Sequence, residues 1–137
     1  NTFNLIKNNK VNYSVFIEQD LSLFEKLKIL KLKYPTIIPI NKTIDFKKNS
    51  DDTIDRILKQ NNISNNLDIM SIDIDSNDLD VYRTISEYHP KLLIIEAGKQ
   101  KYGVFSEHSF DKKMMLVKKI INRNKNAYLK SVFIYKV

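Results

Sequence analysis

The 137-residue chain contains no cysteine and no tryptophan, and it has only two glycines and three prolines. Without cysteine it can form neither a disulfide framework nor a thiolate metal site, and nothing indicates an oxidising compartment. No apolar run reaches the roughly 18 residues that a membrane span needs. No signal peptide is visible either. Together these absences predict a cytoplasmic protein without a membrane span.

The length predicts one domain, covering residues 1–137, with a sizeable hydrophobic core. The chain begins at Asn1 rather than at a methionine, so we expect a processed, trimmed or partial chain that is incomplete at its N-terminus. The sequence contains neither an internal repeat nor a domain linker.

Lysine carries most of the positive charge in this basic chain. The formal net charge is +7, and of the 23 basic residues only Arg56, Arg83 and Arg123 are arginines. Arginine is the residue that base readout and stacking favour. The lysines are also spread along the chain instead of forming one stripe, and charge runs usually face water. The pattern therefore favours a solvated surface over a nucleic-acid footprint.

Helical and strand patterns alternate along the chain. Apolar periodicity predicts strands over 13–17, 36–40, 69–74, 91–96 and 129–137, and helices over 2–9, 21–33, 51–60, 78–88 and 110–122. Strands separated by helices of about ten residues indicate right-handed βαβ crossovers and a parallel sheet. The predicted fold class is therefore α/β, a Rossmann-like three-layer α/β/α arrangement with a mostly parallel sheet.

Local signals set the bounds of several of these elements. Asp20 is predicted to cap the helix over 21–33, and Ser50 the helix over 51–60. The inner face of the first of these helices is predicted to consist of Leu23, Phe24, Leu27 and Leu30. Pro39 indicates either an edge strand or the end of its strand, because proline cannot donate a ladder hydrogen bond.

The best candidate site lies at the end of the apolar run over 69–74, which has the length and β-branched composition of a strand buried on both faces. Four carboxylates and one amide fall close together there: Asp73, Asp75, Asn77, Asp78 and Asp80. Ligands of open α/β sheets bind at the carboxyl ends of the strands. We therefore expect this acidic cluster to lie at a binding edge.

Asp73 and Asp75 are the members of the cluster with the clearest chemical use. As alternate residues of an extended segment they share one side. They could bind a divalent metal through hard oxygen ligands, or orient a substrate hydroxyl, with one of them accepting its proton. The structural alternative is capping of the helix that follows. We assign capping to Asp78 and Asp80 and a functional role to Asp73.

Three motifs in order along the chain resemble those of a known family. The first is a strand, 15–18, that ends in the acid Glu18 and is followed by Phe-Glu-Lys-Leu in a helix. The second, Ile-Asp-Ile-Asp-Ser-Asn-Asp over 72–78, is similar to a motif that follows the family's fourth strand. The third, over 91–96, resembles a fifth strand ending in Ile-Glu. Through these motifs the segment 1–96 resembles the class I S-adenosylmethionine-dependent methyltransferases, and more narrowly their FkbM-like branch.

The resemblance implies an activity and a set of site residues. The cofactor would be S-adenosylmethionine, with Glu18 accepting hydrogen bonds from the ribose hydroxyls and Asp73 also contacting the cofactor. Asp73 and Asp75 would act in O-methyl transfer to a small-molecule or carbohydrate hydroxyl, which needs removal of the hydroxyl proton. The same two carboxylates are the candidate metal ligands. The substrate-binding candidates are Asn77, Glu96 and His108.

The chain departs from the family at its first motif. The family's first strand and the glycine-rich turn after it have no counterpart, because no glycine precedes Gly98, and Ser76 stands where the family usually has glycine. An absent first strand would remove the middle of a 3-2-1-4-5 sheet, so the strands over 13–17 and 69–74 would pair directly or stand apart. The chain would then be a fragment or a degenerate relative.

Two other functions fit the same residues. A buried strand followed by Asp73-x-Asp75 is also the metal and nucleotide-sugar motif of glycosyltransferases. A truncated Rossmann-like domain without the glycine turn could instead be a non-catalytic binding module. A calcium loop does not fit, because Asp78 replaces the needed glycine and Thr84 stands in place of the bidentate glutamate.

Overall fold

The computed structural model describes residues 3–74, 77–97, 115–121 and 131–136, with side chains within 3–74 and 77–95. The helices of this described part are α1 (Phe3–Lys7), α2 (Leu21–Lys33), α3 (Ile54–Gln60) and α4 (Asp78–Thr84). Its strands are β1 (Ser14–Glu18), β2 (Ile37–Asn41), β3 (Ile69–Ile72), β4 (Leu92–Ala97), β5 (Met115–Ile121) and β6 (Ser131–Lys136). The α/β class is confirmed. The chain divides into two compact units, Asn1–Ile44 and Asp45–Val137, and the expectation of one domain stays a prediction.

The first unit is built around one parallel strand pair joined by a helix. β1 and β2 are parallel, with Ser14 opposite Ile37 and Glu18 opposite Asn41, and α2 connects them. In the described part β2 pairs only with β1. Of the two positions that Pro39 predicted, an edge or a strand end, the described part shows the edge, which accommodates a residue without an N–H group. The buried apolar side chains of this unit are Ile6, Ile37 and Ile40.

Helix α2 begins and ends where the sequence predicts. Asp20 is its N-cap, and the carboxylate accepts a hydrogen bond from the N–H of Leu23 at 2.9 Å. Tyr34 is the C-cap, directly before Pro35, which disfavours helical backbone at the residue preceding it. The predicted inner face is only partly covered, since its members Phe24, Leu27 and Leu30 are half-buried and Leu23 is exposed. None of the helices in the described ranges is long and apolar enough to cross a bilayer.

The second unit contains a four-stranded sheet with the order β3-β4-β6-β5. β3 and β4 are parallel, from Ile69 opposite Leu92 to Ile72 opposite Ile95. β6 is antiparallel to both β4 and β5. Parallel pairing therefore holds for β1–β2 and β3–β4, and not for the last two strands. β1 and β3 belong to different sheets, so the direct pairing anticipated as one outcome of an absent first strand is not found.

The prediction of a helix over 110–122 is wrong for the residues of this range that the structure describes. Met115–Ile121 forms β5, which pairs with Ser131–Lys136 (β6), inside the strand predicted over 129–137. The apolar spacing that indicated a helix coincides with a run rich in β-branched residues, Val117, Ile120 and Ile121, which suit a pleated strand. Pairing with β6 overrides the local helical pattern.

β3 is buried on one face only, which corrects the prediction of a strand covered on both faces. Met70 and Ile72 are buried, whereas Ile69 and Ser71 are exposed. This alternation is that of a strand with one solvated face. The other buried apolar side chains of the second unit are Ile54, Ile57, Leu58, Ile63, Leu79, Val81, Tyr88, Leu93 and Ile95.

The helix predicted over 51–60 begins later than expected, and its cap is Thr53 rather than Ser50. The hydroxyl oxygen of Ser50 accepts a hydrogen bond from the N–H of Asp52 at 3.2 Å. The carbonyl of Asp52 in turn accepts the N–H of Asp45 at 2.9 Å. These bonds hold the residues after Ser50 in a turn, so the helical backbone starts only at Ile54.

Asp55 connects α3 to the chain that follows α4. Its carboxylate is buried, and the Oδ2 atom accepts hydrogen bonds from the N–H of Ser86 at 2.6 Å, the hydroxyl of Ser86 at 3.0 Å and the N–H of Glu87 at 2.9 Å. These donors are therefore not available to extend the helix. The helix predicted over 78–88 accordingly ends at Thr84.

Replacing Asp55 by alanine should lower the free energy of unfolding by roughly 2–3 kcal/mol, because three donors lose their acceptor. Urea denaturation measures the loss. Asp51→Ala is the matched control: this exposed carboxylate pairs with Arg56 at the surface, and its removal should cost at most about 1 kcal/mol. Equal losses in the two variants would contradict the structural role of Asp55.

Asp45 should make stability depend on acid pH. Its carboxylate accepts the backbone N–H of Lys47 at 3.0 Å, and this bond holds the pKa of Asp45 below its usual value. A carboxyl group with a lowered folded-state pKa stabilises the fold above its unfolded pKa of about 3.9, and this contribution is lost as the pH falls through the folded-state pKa.

We therefore expect the free energy of unfolding of Asp45→Asn to fall below that of the original chain at pH 7. The difference should shrink as the pH falls below about 4. Urea unfolding across this range is the measurement, with Asp51→Asn as the control for general loss of one surface carboxylate. If the difference in free energy of unfolding between the two chains grew toward low pH, a lowered pKa of Asp45 could not be its cause.

Candidate functional site

Asp73 and Glu96 lie at the carboxyl ends of two neighbouring parallel strands. Ile72 of β3 is in register with Ile95 of β4, and Asp73 and Glu96 are the next residues along each chain. Carboxyl ends of parallel strands meet at one edge of a sheet, which is where α/β proteins bind ligands. Glu96 is still part of β4, opposite Val132 of β6, so the ladder fixes its backbone position. The structure thus places these two predicted positions at the same edge.

The side chain of Asp73 is exposed and forms no hydrogen bond or ion pair with the described residues. An ionised carboxylate offers acceptor oxygens only. At the end of a strand, such a group can bind a hydroxyl or a cation without first giving up a partner in the described part of the chain. Asp73 is therefore open to the chemistry predicted for it.

Asp75 and His108 lie outside the described residues, as does the side chain of Glu96. The pairing of Asp73 with Asp75 as a metal site stays a prediction. Within the described side chains, no group of three or more histidine, aspartate or glutamate residues is arranged to hold a metal ion.

Asp78 closes the loop that follows β3. Its carboxylate is buried, and Oδ1 accepts a hydrogen bond from the N–H of Ile74 at 2.9 Å. This bond takes the N–H of Ile74 away from the strand ladder, and β3 ends at Ile72 instead of continuing over the predicted range. The side chain therefore sets the position at which the chain leaves the sheet, directly beside Asp73.

The N-cap of α4 is Asn77, which corrects the capping role predicted for Asp78. Asn77 has φ −119° and ψ 26°, and its carbonyl accepts the N–H of Val81 at 2.9 Å, but its side chain makes no capping hydrogen bond. Asp80 lies in the first turn, as predicted, and pairs with Arg83 at 3.1 Å. Asn77, a predicted substrate-binding residue, is thus placed at the start of the helix by the loop.

Glu18, in the first unit, is the last residue of β1 and is half-buried. Its Oε1 atom accepts a hydrogen bond from the N–H of Asp20 at 2.8 Å, which orients the carboxylate. The side-chain amide of Asn41 donates to the carbonyl of Glu18 at 2.8 Å and to that of Gln19 at 3.3 Å. Asn41 therefore holds the carboxyl end of β1 against that of β2.

A groove runs between β1 and α2 beside Glu18. It has a volume of about 410 Å³, and its lining residues are Phe16, Ile17, Glu18, Leu23, Lys26, Leu27 and Leu30. The groove is open to solvent. Like sites for small molecules, it combines apolar walls with a few polar groups that could orient a ligand. Here Glu18 and Lys26 are the charged members. We call this feature the β1–α2 groove.

Sequence reasoning did not identify Asn41 or Lys26. For Lys26 a signal exists, because positions 23, 26, 27 and 30 recur at the spacing of one helix face, and this face lines the groove. For Asn41 there is none, since its contact spans two strands that are distant in sequence.

Comparison of the chain with protein-family models, curated proteins and solved structures found no match to any of them.

Asp78→Ala should release the backbone at Ile74. The N–H of Ile74 loses its acceptor, so its amide should exchange with solvent at least about tenfold faster, and the free energy of unfolding should fall by about 1–3 kcal/mol. Asp80→Ala is the matched control, from the same helix turn but with a half-exposed side chain in a surface ion pair. Unchanged exchange at Ile74 in Asp78→Ala would rule out this role.

Proposed function

We propose that the chain binds S-adenosylmethionine and is a methyltransferase-type protein acting on a hydroxyl of a small molecule or carbohydrate. The observation that carries the proposal is the position of Glu18. This carboxylate ends β1, is oriented by the N–H of Asp20, and borders the β1–α2 groove. A nucleoside needs such a combination, an acceptor for its sugar hydroxyls next to an apolar wall for its base.

The donor set of the groove fits the adenosine part of this cofactor. Only Oε1 of Glu18 has a hydrogen bond to the described residues, so Oε2 and a second lone pair of Oε1 can accept from the two ribose hydroxyls. Ile17 and Leu27 provide apolar surface for the purine.

The strand pairing supports the same proposal. In the 3-2-1-4-5 order of the resembled family, the second strand neighbours the third and the fourth neighbours the fifth. The parallel pairs β1–β2 and β3–β4 agree with these two adjacencies if β1 corresponds to the second strand. A three-layer arrangement of methyltransferase type is part of the proposal.

Asp73 is the proposed base. When bound, S-adenosylmethionine supplies an electrophilic methyl group. The exposed carboxylate of Asp73 would take up the proton that the acceptor hydroxyl loses, and Asp75 would assist it. Glu96 at the neighbouring strand end and Asn77 at the start of α4 would bind the acceptor, together with His108. A divalent metal on Asp73 and Asp75 would be an alternative means of orienting the hydroxyl.

A metal-dependent glycosyltransferase is the second candidate, and one observation favours it. The carboxylate of Asp73 follows a strand directly, is exposed, and has no partner among the described residues, as an Asp-x-Asp metal ligand requires. The β1–α2 groove favours the methyltransferase, because its lining residues include Glu18 and do not include Asp73.

The test is calorimetric titration of the chain with S-adenosylhomocysteine. We expect binding, and we expect Glu18→Gln to weaken it about tenfold or more, because a charge-assisted acceptor is lost. Glutamine can still accept the N–H of Asp20, so this variant keeps the local fold. Glu25→Gln, an exposed change on α2 that removes only a surface pair with Lys28, is the matched control and should bind normally.

The other outcomes separate the alternatives. A larger response to Mn²⁺ with a nucleotide sugar, lost in Asp73→Asn, would favour the glycosyltransferase. Absence of any response to either ligand would favour a non-catalytic binding module. Equal affinity of Glu18→Gln and the original chain for S-adenosylhomocysteine would refute the assignment of Glu18.

A further inference from the structure

Helix α2 has an outer face on which large apolar side chains are exposed. Leu21 is 63% exposed, Ile29 68% and Leu32 85%. Their spacing places them on one side of the helix together with Glu25. We call Leu21, Ile29 and Leu32 the outer stripe.

The outer stripe lies opposite the side that packs on the sheet. Phe24, Leu27 and Leu30 are half-buried, and α2 packs on β1 and β2. A helix that is apolar on all sides is normally covered on all sides. Single exposed apolar residues are common, but several large ones on one helix face beside charged side chains mark a candidate interaction surface. Glu25 lies among them, between Leu21 and Ile29.

The charged side chains of α2 are mostly positive, although Lys26 lines the β1–α2 groove on the opposite side. α2 carries four lysines, Lys26, Lys28, Lys31 and Lys33, and one acid, Glu25, which pairs with Lys28 at 3.0 Å. The helical period places Lys28 on one flank of the stripe and Lys33 on the other. Long lysine stems can lie along an apolar surface while their ammonium groups extend beyond it. The occupant of this face should therefore be apolar with an anionic border.

We propose that the outer face of α2 binds the surface of an anionic phospholipid bilayer. A helix lying in the plane of the interface inserts its apolar side chains among the acyl chains and places its lysines at the level of the headgroups. A second copy of the chain is a poorer occupant, because a two-fold contact through this face would oppose like-charged lysines. The proposal is independent of the methyltransferase assignment.

Sedimentation with unilamellar vesicles tests the proposal. We expect the 137-residue chain to bind phosphatidylcholine vesicles containing about 30 mol% phosphatidylglycerol at least about tenfold more strongly than pure phosphatidylcholine vesicles. Binding should weaken as salt is raised, because exposed charges are screened. Equal binding to the two kinds of vesicle would overturn the proposal.

Matched variants locate the contact. Ile29→Ser with Leu32→Ser should reduce binding to the anionic vesicles about tenfold, and both positions are exposed enough that the fold should persist. Phe46→Ser is the control, since Phe46 is 43% exposed but lies outside α2. Far-ultraviolet circular dichroism checks the fold of each variant. Equal binding by the serine pair and the control would overturn the assignment to α2.

The charge requirement is tested separately. Lys28→Gln with Lys33→Gln should weaken binding more than Lys10→Gln with Lys48→Gln, which removes the same charge from exposed sites outside α2. Each lysine at an anionic surface contributes roughly fivefold in affinity at low salt. Sedimentation velocity tests the alternative that a second copy of the chain covers this face. If the chain forms dimers and Leu32→Ser dissociates them, the face is a protein interface and the lipid proposal is wrong.

Discussion

The buried carboxylate of Asp55 is the constraint on which the arrangement of the second unit depends. It collects three hydrogen bonds from Ser86 and Glu87, directly after α4, and so prevents the helix from continuing past Thr84. The chain then turns, Tyr88 enters the core, and β4 follows. Because this turn sets where β4 starts, it also sets the register of β4 beside β3. The edge that holds the candidate site thus depends on a side chain of another helix.

Some bounds that neighbouring residues set could be predicted from the sequence, whereas the start of α3, which the Ser50–Asp52 hydrogen bond delays, could not. The helix after Asp20 has its cap and its proline stop within the segment itself, and both were found where expected. Bounds set by distant partners could not. Thr84 ends α4 because of Asp55, and the segment over 115–121 is a strand because β6 pairs with it. In each case the local pattern was real, but hydrogen bonds to a distant part of the chain were stronger.

Some features of the candidate site could likewise be predicted from the sequence, and others could not. That Asp73 and Glu96 stand at strand ends could be read from two apolar runs followed by acids, and the β3–β4 register agrees. The contribution of Asp78 could not be predicted. A carboxylate at the start of a helix is expected to cap that helix, whereas the carboxylate of Asp78 accepts the N–H of Ile74, which precedes the helix. Nor could the orientation of Glu18 be predicted, since it depends on how a backbone N–H folds back after the strand.

Composition alone does not show how the lysines of α2 are arranged. The prediction that spread lysines form a solvated surface stays a prediction. In α2, however, the lysines flank apolar side chains that the first unit leaves exposed, while the opposite side of the same helix lines the β1–α2 groove. The helix has no fully buried residue, so its position depends on its cap at Asp20 and on partial packing against β1 and β2. A ligand in the groove and a bilayer on the outer stripe would contact opposite sides of α2 that folding leaves open.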